Sequence, residues 1–160
     1  MGDEKRGIIF AQFIVRQFPR VGQVLDIAGG KGQVARKLAN KGIQVFVIDA
    51  KPRLEGNPHK LISYSSGWFT SQQTLKKHIK PDLIVGMHPD EATGEIIEFA
   101  VKHKIPFAVV PCCIKGRHAD GVSNFIGWLR RLKSLAKGFH VCEYMLHMTG
   151  KNIVLYGRPR

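Results

Sequence analysis

The sequence predicts an α/β fold in which a mostly parallel sheet carries helices on both faces and ends in a C-terminal antiparallel hairpin. Three observations predict it. Short apolar runs alternate with longer amphipathic runs along most of the chain, the order that is typical of βαβ units. Residues 43–48 (IQVFVI) are nearly all apolar, as in a strand buried on both faces of its sheet. The chain closes with two strand-like runs separated by a polar turn, which indicates the hairpin.

The first four elements follow from apolar spacing and from glycine and proline signals. Residues 8–18 are apolar with few polar interruptions and stop before Pro19, which predicts a buried helix. Residues 23–28 form a short β-branched run that ends at glycines, as a strand does. A helix over 31–41 follows, with apolar residues at helical spacing and a glycine in the C-cap position. Residues 43–48 are the second strand.

The middle of the chain continues this alternation. Residues 60–64 predict a third strand, and residues 71–79 predict a helix. The apolar run 82–87 is the next strand, and 90–104 is an amphipathic helix. Residues 106–111 form a further strand. Because crossovers between parallel strands are right-handed, few topologies remain possible.

The last third of the chain predicts one helix and two strands. The helix covers 122–138, and the strands cover roughly 140–148 and 152–158 with Thr-Gly-Lys-Asn as the turn between them. One face of the helix is apolar and is expected to cover the sheet. The residues of that face are Phe125, Ile126, Leu129, Leu132 and Leu135.

Length and composition limit the classes of protein to consider. The chain has 160 residues, of which 44% are hydrophobic, so we expect one domain over 1–160 with a substantial core. No apolar run approaches the roughly 18 residues of a membrane span, which excludes an integral membrane protein and predicts no membrane partner. The three cysteines form no CxxC pair, which favours a reducing intracellular compartment, the cytoplasm or alternatively the mitochondrion.

Net charge is the strongest departure from average. The 25 Lys and Arg residues against 12 Asp and Glu residues give a net charge of +13, which favours a polyanionic partner and RNA over a membrane surface. Glu91, Glu95 and Glu98 share one face of the 90–104 helix and are expected to be a solvated stripe. The predicted RNA path therefore follows the basic 115–137 segment, away from that stripe. Its candidate contacts are Lys115, Arg117, Arg130, Arg131, Lys133 and Lys137.

A glycine-rich loop and a later acid carry the clearest chemical signal. The loop lies between the first predicted strand and the helix after it, where glycines let a ligand approach bare backbone at the positive end of a helix. Asp49, at the end of the second strand, can accept hydrogen bonds from the hydroxyls of a ribose. The predicted cofactor-binding residues are Asp26, Ala28, Gly29, Gly30, Gly32 and Asp49. This pattern also satisfies the dinucleotide fingerprint, so NAD stays an alternative.

The acid, the spaced small residues and the closing hairpin together resemble a Rossmann-like class I S-adenosylmethionine-dependent methyltransferase, with Ala28 in place of the usual first glycine. The resemblance implies that Gly30 and Gly32 approach the methionine part of S-adenosylmethionine and that Asp49 holds the ribose. It further implies that Ser65, Ser66 and Trp68 cover the adenine. Against that last role, we expect Trp68 and Phe69 to be core residues.

Two later motifs make the resemblance more specific. GMHPDEAT (86–93) and PFAVVPCCIKG (106–116) resemble a branch that includes the glutathione S-transferase C-terminal-domain-containing proteins and a group of tRNA 2′-O-methyltransferases. The likeness covers roughly residues 22–117, although this chain lacks the Cys-Gly that often follows the His and the further Cys and His residues that follow the cysteine pair. His88 and Asp90 are the candidate catalytic residues, because they follow the predicted strand 82–87 at the edge where chemistry on this fold takes place.

The cysteines are expected to be packed, reduced thiols. Adjacent side chains point in opposite directions on a strand, so at most one of Cys112 and Cys113 should face a cleft. With His118 and Cys142 they lack any familiar zinc-ligand spacing, so no metal site is predicted.

These observations predict an S-adenosylmethionine-dependent methyltransferase that acts on RNA. The alternative is a catalytically silent, methyltransferase-like protein that binds RNA or packs into a ribonucleoprotein. In either case a protein partner could supply part of the substrate recognition.

Overall fold

Seven strands form one sheet in the computed structural model, which describes residues 5–53 and 55–160. In chain order they are β1 (Gln23–Ile27), β2 (Gln44–Asp49), β3 (Ile62–Ser66), β4 (Leu83–Met87), β5 (Phe107–Val110), β6 (Phe139–Met145) and β7 (Ile153–Pro159). Across the sheet the order is β3-β2-β1-β4-β5-β7-β6. The first five strands are parallel, whereas β7 runs antiparallel to both β5 and β6. The predicted mostly parallel sheet with a terminal antiparallel hairpin is confirmed.

Within the described ranges, four α-helices cover the two faces of this sheet. They are α1 (Arg6–Gln17), α2 (Gln33–Ala39), α3 (Thr93–His103) and α4 (Phe125–Leu135). The sheet separates two core layers, as two neighbouring residues of β1 show. Val24 packs in the layer formed with α1 and α2, and Leu25 packs in the layer formed with α3 and α4. Successive strand side chains point to opposite faces, so strands that are apolar throughout serve both layers.

Strand order reverses between β1 and β4. From β1 the chain proceeds outward to β2 and β3, and it then returns to the other side of β1 with β4 and β5. The loops after β1 and β4 therefore leave the sheet toward opposite faces and open a crevice at its carboxyl edge. The predicted loop residues and His88 lie at this crevice.

Residues 71–79 do not form the predicted helix. The segment contains isolated turns, such as the one that the Lys76 carbonyl closes with the Ile79 amide. At the start of the segment, the Ser71 amide donates a hydrogen bond of 2.7 Å to Oε2 of Glu95, a residue of α3 that lies 24 positions later in the sequence. The carboxylate takes a backbone donor and anchors the segment to α3, while Leu75 and Ile79 still pack against the core.

Helix α4 presents a different apolar face from the predicted one. Trp128 is fully buried, whereas Ile126 is 65% exposed. Leu129 and Leu132 are buried as predicted, and Phe125 and Leu135 are partly buried against the same core. The predicted face did not include Trp128, whose indole ring packs in the same core layer as Leu129 and Leu132.

The connection between the last two strands is longer than the predicted tight turn. It comprises residues 146–152. The side chain of Asn152 closes it, because its Nδ2 donates a hydrogen bond of 3.0 Å to the carbonyl oxygen of Leu146. Because β7 is antiparallel to β5, this connection lies at the same carboxyl edge as the crevice. Among the residues described, no helix has the length and apolar character needed to cross a membrane.

Replacing Trp128 with alanine is expected to lower the free energy of unfolding by about 3–5 kcal/mol, because a fully buried indole leaves a cavity. The matched control, Ile126→Ala on the same helix, should change it by no more than about 0.5 kcal/mol. Urea denaturation followed by circular dichroism measures both variants. Equal losses in the two variants would contradict the observed orientation of α4.

Candidate active site

The loop after β1 has an unusual backbone. Gly30 and Gly32 have φ values of +53° and +80°, in the left-handed region that glycine adopts without strain. Ala28 lies there too, with φ of +58°, at a cost of about 1–2 kcal/mol for an L-residue. The loop turns sharply in this way and brings backbone amides to the crevice.

Asp26 is buried beneath this loop. Its side chain is 1% exposed, and its Oδ2 has no hydrogen-bond partner among the described residues. Burial, and then the charge of Asp49, raise the pKa of this carboxyl from 3.8 to about 7. A Cβ at Gly29 would lie 2.8 Å from Oδ2 and 2.7 Å from a methyl group of Val47. A side chain at position 29 would therefore close the space above the carboxylate.

Asp49 is held in place by two backbone amides. Its Oδ2 accepts a hydrogen bond from the Gly30 amide at 2.8 Å, and its Oδ1 accepts one from the Lys51 amide at 2.7 Å. Each carboxylate oxygen can accept more than one hydrogen bond, so both oxygens can still bind hydroxyl groups. The first contact also connects the loop after β1 to the end of β2.

Two clefts meet at the carboxyl edge, with volumes of about 680 and 670 Å³, within the usual range of roughly 300–1,000 Å³ for small-molecule sites. Asp26 and Gly29 line the first cleft, and Asp49 and Asp90 line the second. Three predicted residues, Ala28, Gly30 and His88, line both. Gly32 lines neither and precedes α2 instead. The structure thus brings all of the predicted cofactor and catalytic residues except Gly32 to one continuous groove.

His88 stands at the junction of the clefts in a strained backbone conformation, with φ of +52°. Its amide donates a hydrogen bond of 2.9 Å to the carbonyl oxygen of Val110, and its Nε2 lies 2.9 Å from the carbonyl oxygen of Lys151. A carbonyl only accepts, so Nε2 carries the hydrogen and Nδ1 is the acceptor of the neutral ring. Burial lowers the pKa of His88, and the Lys151 carbonyl partly offsets this effect.

Asp90 contacts both cysteines of the Pro-Cys-Cys motif. Its Oδ1 lies 3.1 Å from Sγ of Cys112 and 2.9 Å from Sγ of Cys113, and the two sulfurs are 3.2 Å apart. The expectation that the two thiols point apart was wrong, because β5 ends at Val110 and both cysteines belong to the following loop. The hydrogen bond from Cys113 lowers the pKa of Asp90, while burial raises the pKa of Cys113.

The two aromatic residues after β3 differ in their exposure to solvent. Trp68 lines the second cleft and is 74% exposed, so the expectation that it is a core residue was wrong. Phe69 is buried, and its ring packs edge-on against Phe99 at 5.3 Å between centroids, as expected. Ser65 and Ser66 belong to β3, and neither lines the cleft.

The acids of α3 are not a solvated stripe. Glu95 is buried, and its Oε1 lies 2.6 Å from Nε of Arg117. Arg117 also pairs with Glu98, whose other oxygen lies 2.9 Å from Nε2 of His118. The predicted separation of the 115–137 segment from the acidic helix was therefore wrong, because the loop before α4 packs directly on these acids. Both Glu95 and Arg117 line the second cleft.

The other predicted RNA contacts have different environments. Arg131 donates to the carbonyls of His118 and Asp120, and Lys133 forms an ion pair with Glu143 on β6. Within residues 5–53 and 55–160, no ion pair is found for the remaining three. They are the exposed Lys115, Arg130 and Lys137. Because α4 runs from the carboxyl edge toward the start of β6, Lys137 lies at the far edge from the clefts. The assignment of these residues to RNA stays a prediction.

Some residues at the groove were missed by the sequence analysis. Arg6, at the start of α1, and Arg53 both line the first cleft. The amide of Gly7 donates a hydrogen bond of 3.0 Å to Oε1 of Gln33, and this contact holds the start of α1 beside the glycine loop. Lys151, whose carbonyl orients His88, belongs to the hairpin connection. Their contacts join distant parts of the chain, and no local motif marks them.

Solved structures of other proteins share this fold, although the sequence has no close relative in the other two comparisons. No protein-family model matches the sequence, and no curated protein matches it. Among solved structures, the glycopeptide N-methyltransferase MtfA is similar, with a TM-score of 0.67 and 16% identity over 96% of this chain and 90% of that one. Streptomyces venezuelae DesVI has a TM-score of 0.61 and 10% identity, over 98% and 93% of the two chains.

Human N-acetylserotonin methyltransferase, solved in complex with S-adenosylmethionine, has a TM-score of 0.60 and 14% identity. The match covers 96% of this chain and 51% of the human one, so this chain spans about half the length of that protein. The fold is that of the class I methyltransferases. At these identities the likeness establishes the fold, and the function has to be argued from the groove.

The raised pKa of Asp26 predicts a pH dependence of stability. Between its unfolded pKa of 3.8 and its folded pKa of about 7, the folded protein retains a proton that the unfolded chain releases, so stability falls as pH rises through this window. From pH 5 to pH 8 the loss due to this group is about 3 kcal/mol. Urea denaturation of the wild-type protein and Asp26→Asn at both pH values should show this loss in the wild-type protein alone. Parallel pH profiles would contradict the assignment.

Proposed function

We propose that this protein is an S-adenosylmethionine-dependent methyltransferase. The observation that carries the proposal is the buried Asp26 carboxylate at the strand-order reversal, whose Oδ2 has no hydrogen-bond partner among the described residues and which lines a groove that Asp49 lines farther along. An unpaired buried carboxylate is costly, and a cationic ligand group offsets this cost. S-adenosylmethionine has an ammonium group at one end and a nucleoside at the other, which matches the two acids.

The residues present fit that cofactor in three places. The Asp26 carboxylate is complementary to the ammonium group, and the Asp49 oxygens, fixed by backbone amides, are complementary to the ribose hydroxyls. The exposed Trp68 ring offers a face for the adenine. The pyrophosphate of NAD is anionic, so a buried carboxylate under the glycine loop disfavours it. This contrast supports the methyl donor over the dinucleotide.

The chain's own contribution to the reaction would be alignment. When bound, the cofactor supplies a methyl group activated by its sulfonium, so that an acceptor held in line needs little further activation. His88 stands where the clefts join, and its Nδ1 is available as a hydrogen-bond acceptor because Nε2 is engaged by Lys151. We assign His88 to hold the hydroxyl or amine hydrogen of the acceptor. Asp90, at the same edge, lines the second cleft.

RNA is the acceptor that we propose. The net charge of +13 supports it, as do the exposed Lys115 and Arg130, which have no ion pair among the described residues. The resemblance of residues 86–93 and 106–116 to a branch with tRNA 2′-O-methyltransferases supports it further. Phosphate contacts of this kind position a nucleic acid and do not read its sequence, so the particular RNA is left open.

A small-molecule acceptor is the second candidate. It is favoured by the structural neighbours, which include a mitomycin 7-O-methyltransferase and an amino pentose methyltransferase. A chain that binds RNA but transfers no methyl group is the catalytically silent alternative.

Calorimetric titration with S-adenosylmethionine and with NAD tests the cofactor. We expect the methyl donor to bind, and we expect Asp26→Asn and Asp49→Asn each to weaken its binding at least tenfold, a loss of about 1.4 kcal/mol. Asp82→Asn is the matched control, because Asp82 also accepts two backbone amides but does so at the opposite edge of the sheet. Failure of folded protein to bind S-adenosylmethionine, or undiminished binding by both groove variants, would refute the proposal.

Salt-dependent RNA binding tests the acceptor. The logarithm of the affinity should fall linearly with the logarithm of salt concentration, and Lys115→Gln with Arg130→Gln should reduce this slope by about 0.7 per lost phosphate contact. A double variant with the same loss of charge at the opposite edge, Lys41→Gln with Lys80→Gln, should keep the wild-type slope. Transfer of a labelled methyl group to RNA supports the enzyme. Binding without transfer supports the silent alternative, and transfer to small molecules alone refutes RNA as the acceptor.

A further inference from the structure

We propose that Asp90, Cys112 and Cys113 form a binding site for a zinc-class divalent cation, with one coordination position left open. The spacing of the cysteines and histidines predicts no metal site, and the proposed methyltransferase function does not require one. The inference stands on the contacts of the Asp90 loop and does not rest on the proposed function. Three donor atoms from two loops converge there, although Asp90 lies 22 and 23 positions before the two cysteines.

The positions of the donor atoms suit a small cation. Both sulfurs lie within 3.1 Å of Oδ1 of Asp90, and they are 3.2 Å from each other. With Zn–S bonds of about 2.3 Å and tetrahedral angles, two sulfurs lie about 3.8 Å apart. The three atoms must therefore spread by about half an ångström, which small side-chain rotations allow. Binding of the cation would replace the two thiol protons that now form hydrogen bonds with Asp90.

The two loops are held together independently of these side chains. The amide of His88 donates to the carbonyl of Val110, immediately before the cysteine loop. At the other end of that loop, a Cβ at Gly116 would lie 2.6 Å from the backbone oxygen of Glu91. Asp90 itself has φ of +48°, a strained conformation for a residue other than glycine. The backbone thus presents the carboxylate to both thiols without help from a ligand.

The donor types select the metal class. Thiolates are soft ligands that favour zinc over magnesium and calcium, and a carboxylate is an accepted third ligand of zinc. Two thiolates and one carboxylate leave a net charge of −1 around a divalent cation, and the Lys115 ammonium near Asp90 is placed to offset it. A disulfide is disfavoured because adjacent Cα atoms are about 3.8 Å apart, below the usual range of about 4.4–6.8 Å.

The site adjoins the groove through Asp90, which lines the second cleft together with His88. Three protein ligands leave one tetrahedral position for water or for an oxygen or nitrogen of a bound molecule, as in catalytic zinc sites. Among the described residues, a second cluster of potential ligands consists of Glu95, Glu98 and His118, but both of its carboxylates already pair with Arg117, so it is not a comparable site.

Metal titration of the reduced, full-length chain tests the proposal. We expect one equivalent of Zn²⁺ to bind in competition with a chromophoric chelator, and Co²⁺ to give a thiolate-to-metal charge-transfer band. Cys112→Ser, Cys113→Ser and Asp90→Asn should each weaken Zn²⁺ binding at least tenfold, and each serine variant should lose about half of the band. Cys142→Ser is the matched control, because this exposed thiol lies outside the cluster, and it should bind as the wild type does.

Absence of stoichiometric Zn²⁺ binding would overturn the proposal. So would equal weakening by Cys142→Ser, or a charge-transfer band that persists when both Cys112 and Cys113 are replaced by serine. Thermal unfolding without metal shows that the variants fold, and asparagine at position 90 tolerates the left-handed backbone. S-adenosylmethionine titration of the same variants separates the two proposals, because loss of Zn²⁺ with retained cofactor binding shows that the sites are independent.

Discussion

The pairing of β1 with parallel neighbours on both sides is the constraint on which the rest of the molecule depends. Because β1 pairs with β2 on one side and β4 on the other, the chain leaves their carboxyl ends toward opposite faces of the sheet. The crevice that results collects the ends of strands that are far apart in the sequence. The strand ends and loops that this pairing brings to one edge carry the predicted cofactor and catalytic residues, among them Asp26, Asp49 and His88.

Backbone strain is concentrated at that edge. Ala28, His88 and Asp90 have left-handed φ values although none is glycine, and such conformations persist where the surrounding packing supports them. The support comes from two core layers, one on each face of the sheet, and from contacts such as the His88 amide with the Val110 carbonyl. The core therefore stabilises a loop geometry that the loop sequences would not adopt alone.

The charge of the surface also depends on contacts within the protein. Several of the twelve acids in the chain are engaged internally, among them Asp26 under the glycine loop and Glu95 against Arg117. The net charge of +13 therefore does not by itself describe the charge of the surface. Near the clefts, however, Arg117, Arg131 and Lys133 bind groups of the protein itself. A basic residue in the sequence thus becomes a candidate phosphate contact only after its internal partners are known.

The sequence by itself determined the order of strands and helices, the glycine loop, and the acids Asp26 and Asp49, because these depend on local apolar periodicity and on motifs that span a few residues. It predicted a helix over 71–79 and a buried Trp68, both of which the structure contradicts, because long-range contacts decide those segments. Tertiary structure alone decided that Asp90 meets both cysteines, that Arg117 pairs with Glu95, and that Lys151 orients His88. These contacts join residues 22 to 63 positions apart, and side chains so distant meet only after the parallel sheet has brought their loops to one edge.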